Sequence, residues 1–168
     1  MRVNSTVIIR APRDLVWDGI TDPAGYLDFM SGITRWELQG DGDVVENPGR
    51  LELGSRIRML IRVGAAEVGG LIEVVECKER SDMAWSSVTG IDQRGRWRLR
   101  DAGDGMTRVE LRYSYGVAGA GIAGLLAERV GAPILRRRLR ESLLGLKRSV
   151  EGERQRRDAE ARRDRAAA

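Results

Sequence analysis

Residues 4–22 read NSTVIIRAPRDLVWDGITD, and the order of patterns within them decides the fold. Val3, Val7 and Ile9 fall at the spacing of a strand face, whereas Leu15, Val16 and Gly19-Ile20 fall at helical spacing. The period changes at Ala11-Pro12. Pro12 has its φ already set for a first helical position, and Asp14 lies in the first turn, where the helix dipole favours a carboxylate. A second short helix is signalled in the same way. Asp22 can cap it and Pro23 can occupy its first turn, ahead of Tyr26, Leu27, Phe29 and Met30. The stretch predicts one strand and then, at once, two small helices.

The middle of the chain reads as strands. Residues 33–38 predict a second strand, and residues 40–54, with Asp41-Gly42-Asp43 and Pro48, a polar loop. Ile57, Met59, Ile61 and Val63 alternate with Arg56, Arg58 and Arg62, the pattern of a half-buried antiparallel strand. Residues 67–77 predict another, with Ile72 and Val74 inward, Glu73 outward and a bulge at Gly69-Gly70. Met83, Trp85 and Ser87 share a face of a fifth strand, Trp97 and Leu99 continue it in a sixth, and Val109, Leu111, Tyr113 and Tyr115 in a seventh.

From Gly119 onward the period is helical. A first segment holds Ile122, Leu125, Leu126 and Val130, Gly131-Ala132-Pro133 interrupts it, and a long second helix carries Leu135, Leu139, Leu143, Leu146 and Val150 as one apolar stripe. Beyond Gly152 the only apolar residues are alanines. Residues 1–152 are therefore expected to form one domain, and residues 153–168 a charged extension, exposed and either helical or disordered.

The strand, the two small helices and the run of strands, with Ala11-Pro12, Val16-Trp17-Asp18 and Asp22 in place, resemble the START/birch-pollen-allergen (SRPBCC) superfamily, specifically its bacterial polyketide cyclase/dehydrase branch. The resemblance covers residues 3–150. It implies an α+β helix-grip fold, in which a curved seven-stranded antiparallel sheet wraps a long C-terminal helix, with two short helices after the first strand. It also implies an internal cavity that binds a lipid, polyketide or quinone type of molecule. Two further activities are implied by relatives of this kind: aromatase/cyclase or dehydratase action on a polyketide, without metal or cofactor, and a carrier or assembly role like that of the helix-grip protein associated with carbon monoxide dehydrogenase. In the cyclases proton transfer is attributed to pocket arginine and tyrosine. The matching positions here carry Ile33 and, for the arginine, Glu76 or Cys77.

Composition narrows the chemistry. The 168 residues contain no histidine and one cysteine, Cys77, which excludes an internal disulfide, a zinc site of the usual Cys/His kind and a Ser-His or Cys-His relay. Asp41-Gly42-Asp43 lacks the ligand spacing of a calcium loop. No metal and no cofactor is expected. Cys77, at the end of an apolar strand, reads as a small buried hydrophobe. No stretch approaches the ~20 apolar residues of a membrane helix, so no stable membrane insertion is expected, and a start that enters a strand directly places the protein in the cytoplasm. The expected oligomeric state is a monomer or a homodimer.

The net charge of +4 raises nucleic acid as a partner. Arg94, Arg96, Arg98 and Arg100 form a row on one strand face, and Arg108, Glu110 and Arg112 form another on the next. If the two strands make a hairpin across residues 101–105, both rows share the solvent face, where Glu110 offsets part of the repulsion. The aromatics lie on the opposite face, so no nucleic acid is expected. Gly119, Gly121 and Gly124 spell a dinucleotide-binding glycine pattern, but Pro133 leads to another helix where a parallel strand would have to come next; a hinge is the expectation.

The ligand is expected to be an apolar small molecule. Trp85, Trp97, Tyr113 and Met59 converge on the inward face, joined by Trp36 and Ile72 from the sheet and by Leu125 and Leu139 from the helical region, as an apolar pocket with a few polar tips. Tyr26, Tyr113 and Glu76 are the candidate acid/base groups, since an apolar cavity raises a carboxyl pKa and a tyrosine can donate to an enolate oxygen.

Overall fold

A strand, a proline and two short helices open the chain. The computed structural model describes residues 2–40, 49–116 and 121–167, with side chains from residue 133 onward in the last of these. Strand β1 (Arg2–Ile9) ends just before Ala11, and α1 (Arg13–Thr21) begins directly after Pro12, which sits at the cap with extended ψ of 158° and not inside the first turn. Its carbonyl accepts the first helical bond, from Val16 N at 3.2 Å. Asp22 caps as expected, accepting from Ala24 N at 3.0 Å, and Pro23 starts a single 3-10 turn that runs into α2 (Tyr26–Phe29).

Six more strands complete the sheet: β2 (Ile33–Gln39), β3 (Arg56–Val63), β4 (Ala66–Lys78), β5 (Asp82–Ser87), β6 (Gln93–Asp101) and β7 (Thr107–Tyr115). The strand order is β1-β7-β6-β5-β4-β3-β2, and every neighbouring pair is antiparallel. Helix α3 (Gly121–Ala167) closes the chain. This is the α+β helix-grip fold, a curved sheet around a long C-terminal helix. No described helix is long and apolar enough to cross a membrane.

Two details depart from the expectation. Pro133 lies inside one continuous helix, where two helices were expected. A proline removes a single helical hydrogen bond, and here its side chain is exposed while the stripe beyond it is anchored in the core. Gly69 and Gly70 stay in register with β3, and the bulge of β4 falls instead between Val74 and Glu76. The glycines serve a close approach: a Cβ on Gly70 would stand 2.1 Å from the carbonyl oxygen of Thr89 in the loop after β5. Asp41-Gly42-Asp43, Gly119 and the side chains of Ile122, Leu125, Leu126 and Val130 lie outside the described residues.

The grip comes from Leu139, Leu143, Leu146 and Val150, all buried. Gly145 lets α3 come down on α2, where a Cβ would stand 2.9 Å from the Phe29 carbonyl oxygen, and Gly19 meets Val150 in the same way. Polar contacts finish the seam along β1. Lys147 Nζ donates to Ile8 O at 2.8 Å, and Glu151 accepts from Arg10 N at 2.8 Å. Arg154 donates to Arg10 O at 2.7 Å, so the helix past Gly152 is fastened at its base before it runs exposed to Ala167.

On the outer face the arginine row lies as its alternation requires, and Asp82 gathers it. Its buried carboxylate meets Arg98 at 3.2 Å, Arg100 at 3.1 Å and Arg96 at 3.6 Å. Burial pushes the Asp82 carboxyl up, but hydrogen bonds from Ser81, Arg98 and Arg100 outweigh it and hold the group below the usual carboxylate range. A lowered folded-state pKa contributes stability that is present above the unfolded value and is lost as pH falls through the folded one. The melting temperature is therefore expected to drop on acidification below pH ~4, the unfolded aspartate value. Asp82→Asn should lower stability by about 2 kcal/mol at neutral pH, the worth of a hydrogen bond to a charged group, and flatten that acid limb. A wild-type limb that Asp82→Asn leaves unchanged would assign it to other carboxylates.

Candidate functional site

Inward side chains of the sheet fall in rows across the strands, and the rows place the candidate residues. Val3, Tyr113, Gly95, Trp85 and Val74 stand directly opposite one another on five successive strands. One step along the strands come Tyr115 and Gln93, with Ile72 opposite Ser87 and Ile57. A further step brings Gly70, Met59 and Trp36. Trp85, Tyr113, Ile72, Met59 and Trp36 therefore descend diagonally over one concave surface, and all five are buried. Leu139 enters from α3; the side chain of Leu125 lies outside the described residues. The inward apolar groups Ile61, Tyr115 and Leu135 are only partly covered.

Two aromatic clusters behave differently. Tyr26 stacks flat on Trp36, with centroids 3.9 Å apart and planes at 3°, and Phe29 meets Trp97 edge-on at 6.2 Å. The Tyr26 hydroxyl donates to Ile20 O at 2.7 Å and accepts from Trp97 Nε1 at 3.2 Å. Both of its bonding directions are used within the core. Burial pushes the phenol far up, against a smaller lowering by Trp97, so Tyr26 holds its proton and braces α2 on the sheet. Trp97 is fully buried with its N–H satisfied; it belongs to this packed cluster.

The second cluster surrounds Gly95. A Cβ there would fall 1.9 Å from Cζ2 of Trp85, so the indole lies across the glycine, which stands opposite Tyr113 on the next strand. The Tyr113 hydroxyl donates to Gln93 Oε1, whose backbone N–H in turn donates to Ser87 Oγ at 3.2 Å. Burial, with a further push from Tyr115, raises the Tyr113 phenol well above its ordinary value, so it is a hydrogen-bond donor at neutral pH. Trp36 Nε1 and Trp85 Nε1 are buried and have no hydrogen-bond partner among the described residues.

Glu76 does not join the tyrosines. The bulge at Val75 turns it to the outer face, opposite Ala84, where Arg96 grips it with bonds of 3.0 and 2.5 Å. Asp101 at the hairpin end apart, no described strand position facing inward carries a charge. Cys77, opposite Met83, faces inward; burial first, then the carboxylates of Glu52 and Glu79, push its thiol up, so it stays protonated. Gln93, which no motif singled out, proves to be the partner of Tyr113. Its signal was present, because Gln93 occupies the inward phase of the Arg94–Arg100 alternation.

A sequence profile described as polyketide cyclase/dehydrase and lipid transport matches residues 1–151. The chain belongs to that family. No curated protein matches it in sequence. Among solved structures, the polyketide cyclase/dehydrase fold recurs in TTHA0849 from Thermus thermophilus, with a TM-score of 0.73 and 21% identity over 91% of this chain and 99% of that one. It recurs in the Zhui aromatase/cyclase from Streptomyces sp. R1128, with a TM-score of 0.70 and 21% identity over 90% and 93%. The di-domain aromatase/cyclase BexL matches with a TM-score of 0.60 and 16% identity over 90% of this chain and 46% of that one. At these identities the likeness is one of fold. The inner surface of this chain carries indoles and one tyrosine–glutamine pair.

Proposed function

We propose that the protein binds an apolar small molecule bearing carbonyl or hydroxyl oxygens, of polyketide type, between the inner face of the sheet and α3. The observation that carries this reading is the pair of buried indole N–H groups of Trp36 and Trp85 without an acceptor. An unsatisfied buried donor costs about 1–3 kcal/mol, and a ligand oxygen placed against it removes that cost. A saturated acyl chain has no oxygen along its length to offer. The family description supports the same ligand class, as does the fold shared with the Zhui aromatase/cyclase.

Aromatase/cyclase or dehydratase activity is the second reading, supported by that family description and by Tyr113, a protonated phenol on the inner surface. Binding stands first because, Asp101 at the hairpin end apart, the described inward strand positions supply no carboxylate base. Anthraquinone and anthracene separate the two ideas from a trivial one, since they share a shape and differ in two carbonyl oxygens. Anthraquinone should quench tryptophan fluorescence saturably and raise the melting temperature, with anthracene at least about tenfold weaker, a difference of ~1.4 kcal/mol. Equal affinity for both would sink the hydrogen-bonding account. Tyr113→Phe keeps the ring and removes the hydroxyl. Unchanged binding with lost turnover of a poly-β-ketone would establish the enzyme, and no turnover by the wild type at any chain length would leave the binder.

A further inference from the structure

The outer face of the sheet has its own rows. Ser86, Arg94, Ser114 and Arg2 stand opposite one another on β5, β6, β7 and β1; Ala84, Arg96, Arg112 and Asn4 form the next row, and Asp82, Arg98, Glu110 and Thr6 the third. The carboxylates are unevenly spread. Asp82 and Glu110 fill the third row and Glu76 reaches Arg96 in the second, whereas the first row holds two arginines and two serines on these four strands and meets an acid only at its β4 end, where Glu73 stands opposite Ser86 and is bound to Arg56 at 2.9 Å. Among the described residues neither Arg2 nor Arg94 has an ion-pair or hydrogen-bond partner for its guanidinium, and neither serine hydroxyl has one. These side chains line a cleft of about 530 Å³ together with Val75 and Ala84, and the strand positions of Trp85, Gly95 and Tyr113, whose side chains face inward, also border it.

We infer that this cleft is an anion site, distinct from the inner surface and on the opposite face of the sheet, for a small phosphomonoester with an apolar body. Arg2 and Arg94 sit two strands apart, roughly 10 Å at the backbone, with Ser114 between them. Two long guanidinium arms from that spacing close on one tetrahedral anion above the Ser114 hydroxyl. Each guanidinium brings five N–H donors in a planar fork that suits phosphate oxygens, and Ser86 and Ser114 add hydroxyl donors. Arg112 lies beside them with its Nε and Nη2 bound to Glu110, which fixes the guanidinium and leaves Nη1 for the ligand. The cleft volume falls within the usual range for small-molecule sites and exceeds what a bare inorganic ion would fill, and Val75 and Ala84 offer the apolar body a surface.

Phenyl phosphate titrated into the protein at constant ionic strength tests the site. Saturable one-to-one binding is expected, weakened at least about tenfold by Arg2→Gln together with Arg94→Gln. Arg58→Gln, on the same outer face of β3 and also without an ion partner, should leave it within about twofold. No saturable binding, or an equal loss in Arg58→Gln, overturns the site, since the effect would then be general charge screening. Co-sedimentation with vesicles of phosphatidic acid and phosphatidylcholine, without binding of phenyl phosphate, overturns the soluble ligand in favour of a lipid headgroup. Affinity for a single-stranded oligonucleotide that rises with its length overturns it in favour of nucleic acid. Melting temperatures of the exposed arginine variants should match the wild type, which separates loss of binding from loss of fold.

Discussion

Replacing Trp97 with alanine is expected to cost the fold about 3–5 kcal/mol, a large share of the total stability of a domain this size. The indole is fully buried, meets Phe29 edge-on and donates to the Tyr26 hydroxyl, so its loss leaves a cavity where α2, β2 and β6 come together. Urea denaturation should show a midpoint shifted far down with an unchanged slope. Tyr26→Phe isolates one part of that loss, the orphaned Trp97 N–H, and should cost about 1–3 kcal/mol. A Trp97→Ala variant within about 1 kcal/mol of the wild type would mean that the aromatic cluster is loosely packed and that Trp97 lines open space.

Gly95→Ala is the second substitution with a large expected effect. The new methyl would stand 1.9 Å from the Trp85 ring, which is itself buried, so the ring or the strand must shift. Overpacking of this kind costs about 1–3 kcal/mol, and the depth of the clash puts Gly95→Ala at the upper end. The same methyl beside a smaller partner should fit. Trp85→Leu in the Gly95→Ala background is therefore expected to be more stable than the sum of the two single changes, with a coupling of at least ~1 kcal/mol. Simple additivity would place the indole elsewhere. The single variant should also lose the affinity for anthraquinone, because it displaces one of the two indole donors.

Much of this architecture is written in short-range patterns. Pro12 and Pro23 mark where strand gives way to helix, because a fixed φ and a missing N–H act on the chain locally. The inward phase of β3, β5, β6 and β7 comes from strict alternation, and the Leu139 to Val150 stripe from helical spacing. Glu76 shows where such reading fails. Counting by twos from Ile72 and Val74 points Glu76 inward, but the bulge at Val75 inserts one residue, and every side chain beyond it changes face. No residue type at that point announces the insertion. Pro133 misled in the opposite sense: its local preference for opening a helix yielded to the anchorage of the stripe on its C-terminal side. The candidate site was legible as a set of indoles on one face. Which N–H groups are satisfied was not, since Trp97 finds its acceptor 71 residues away in Tyr26.

Pairing of β1 with β7 shapes how the protein is made. β2 to β7 are joined in chain order, and each can pair with its predecessor soon after synthesis. β1 is the exception. Its residues 2–9 leave the ribosome ahead of the rest of the sheet, yet their partners are residues 107–114, and the helix that seals their other side runs on to Ala167. At about 5–20 residues per second, β1 waits for several seconds or more with its hydrogen-bonding groups and the apolar side chains of Val3, Val7 and Ile9 uncovered. The closing contact is also the one of longest sequence separation in the sheet, the kind that slows folding. The nascent chain is thus most exposed to mispairing and to chaperone capture at this first strand, until both β7 and α3 have emerged to cover it.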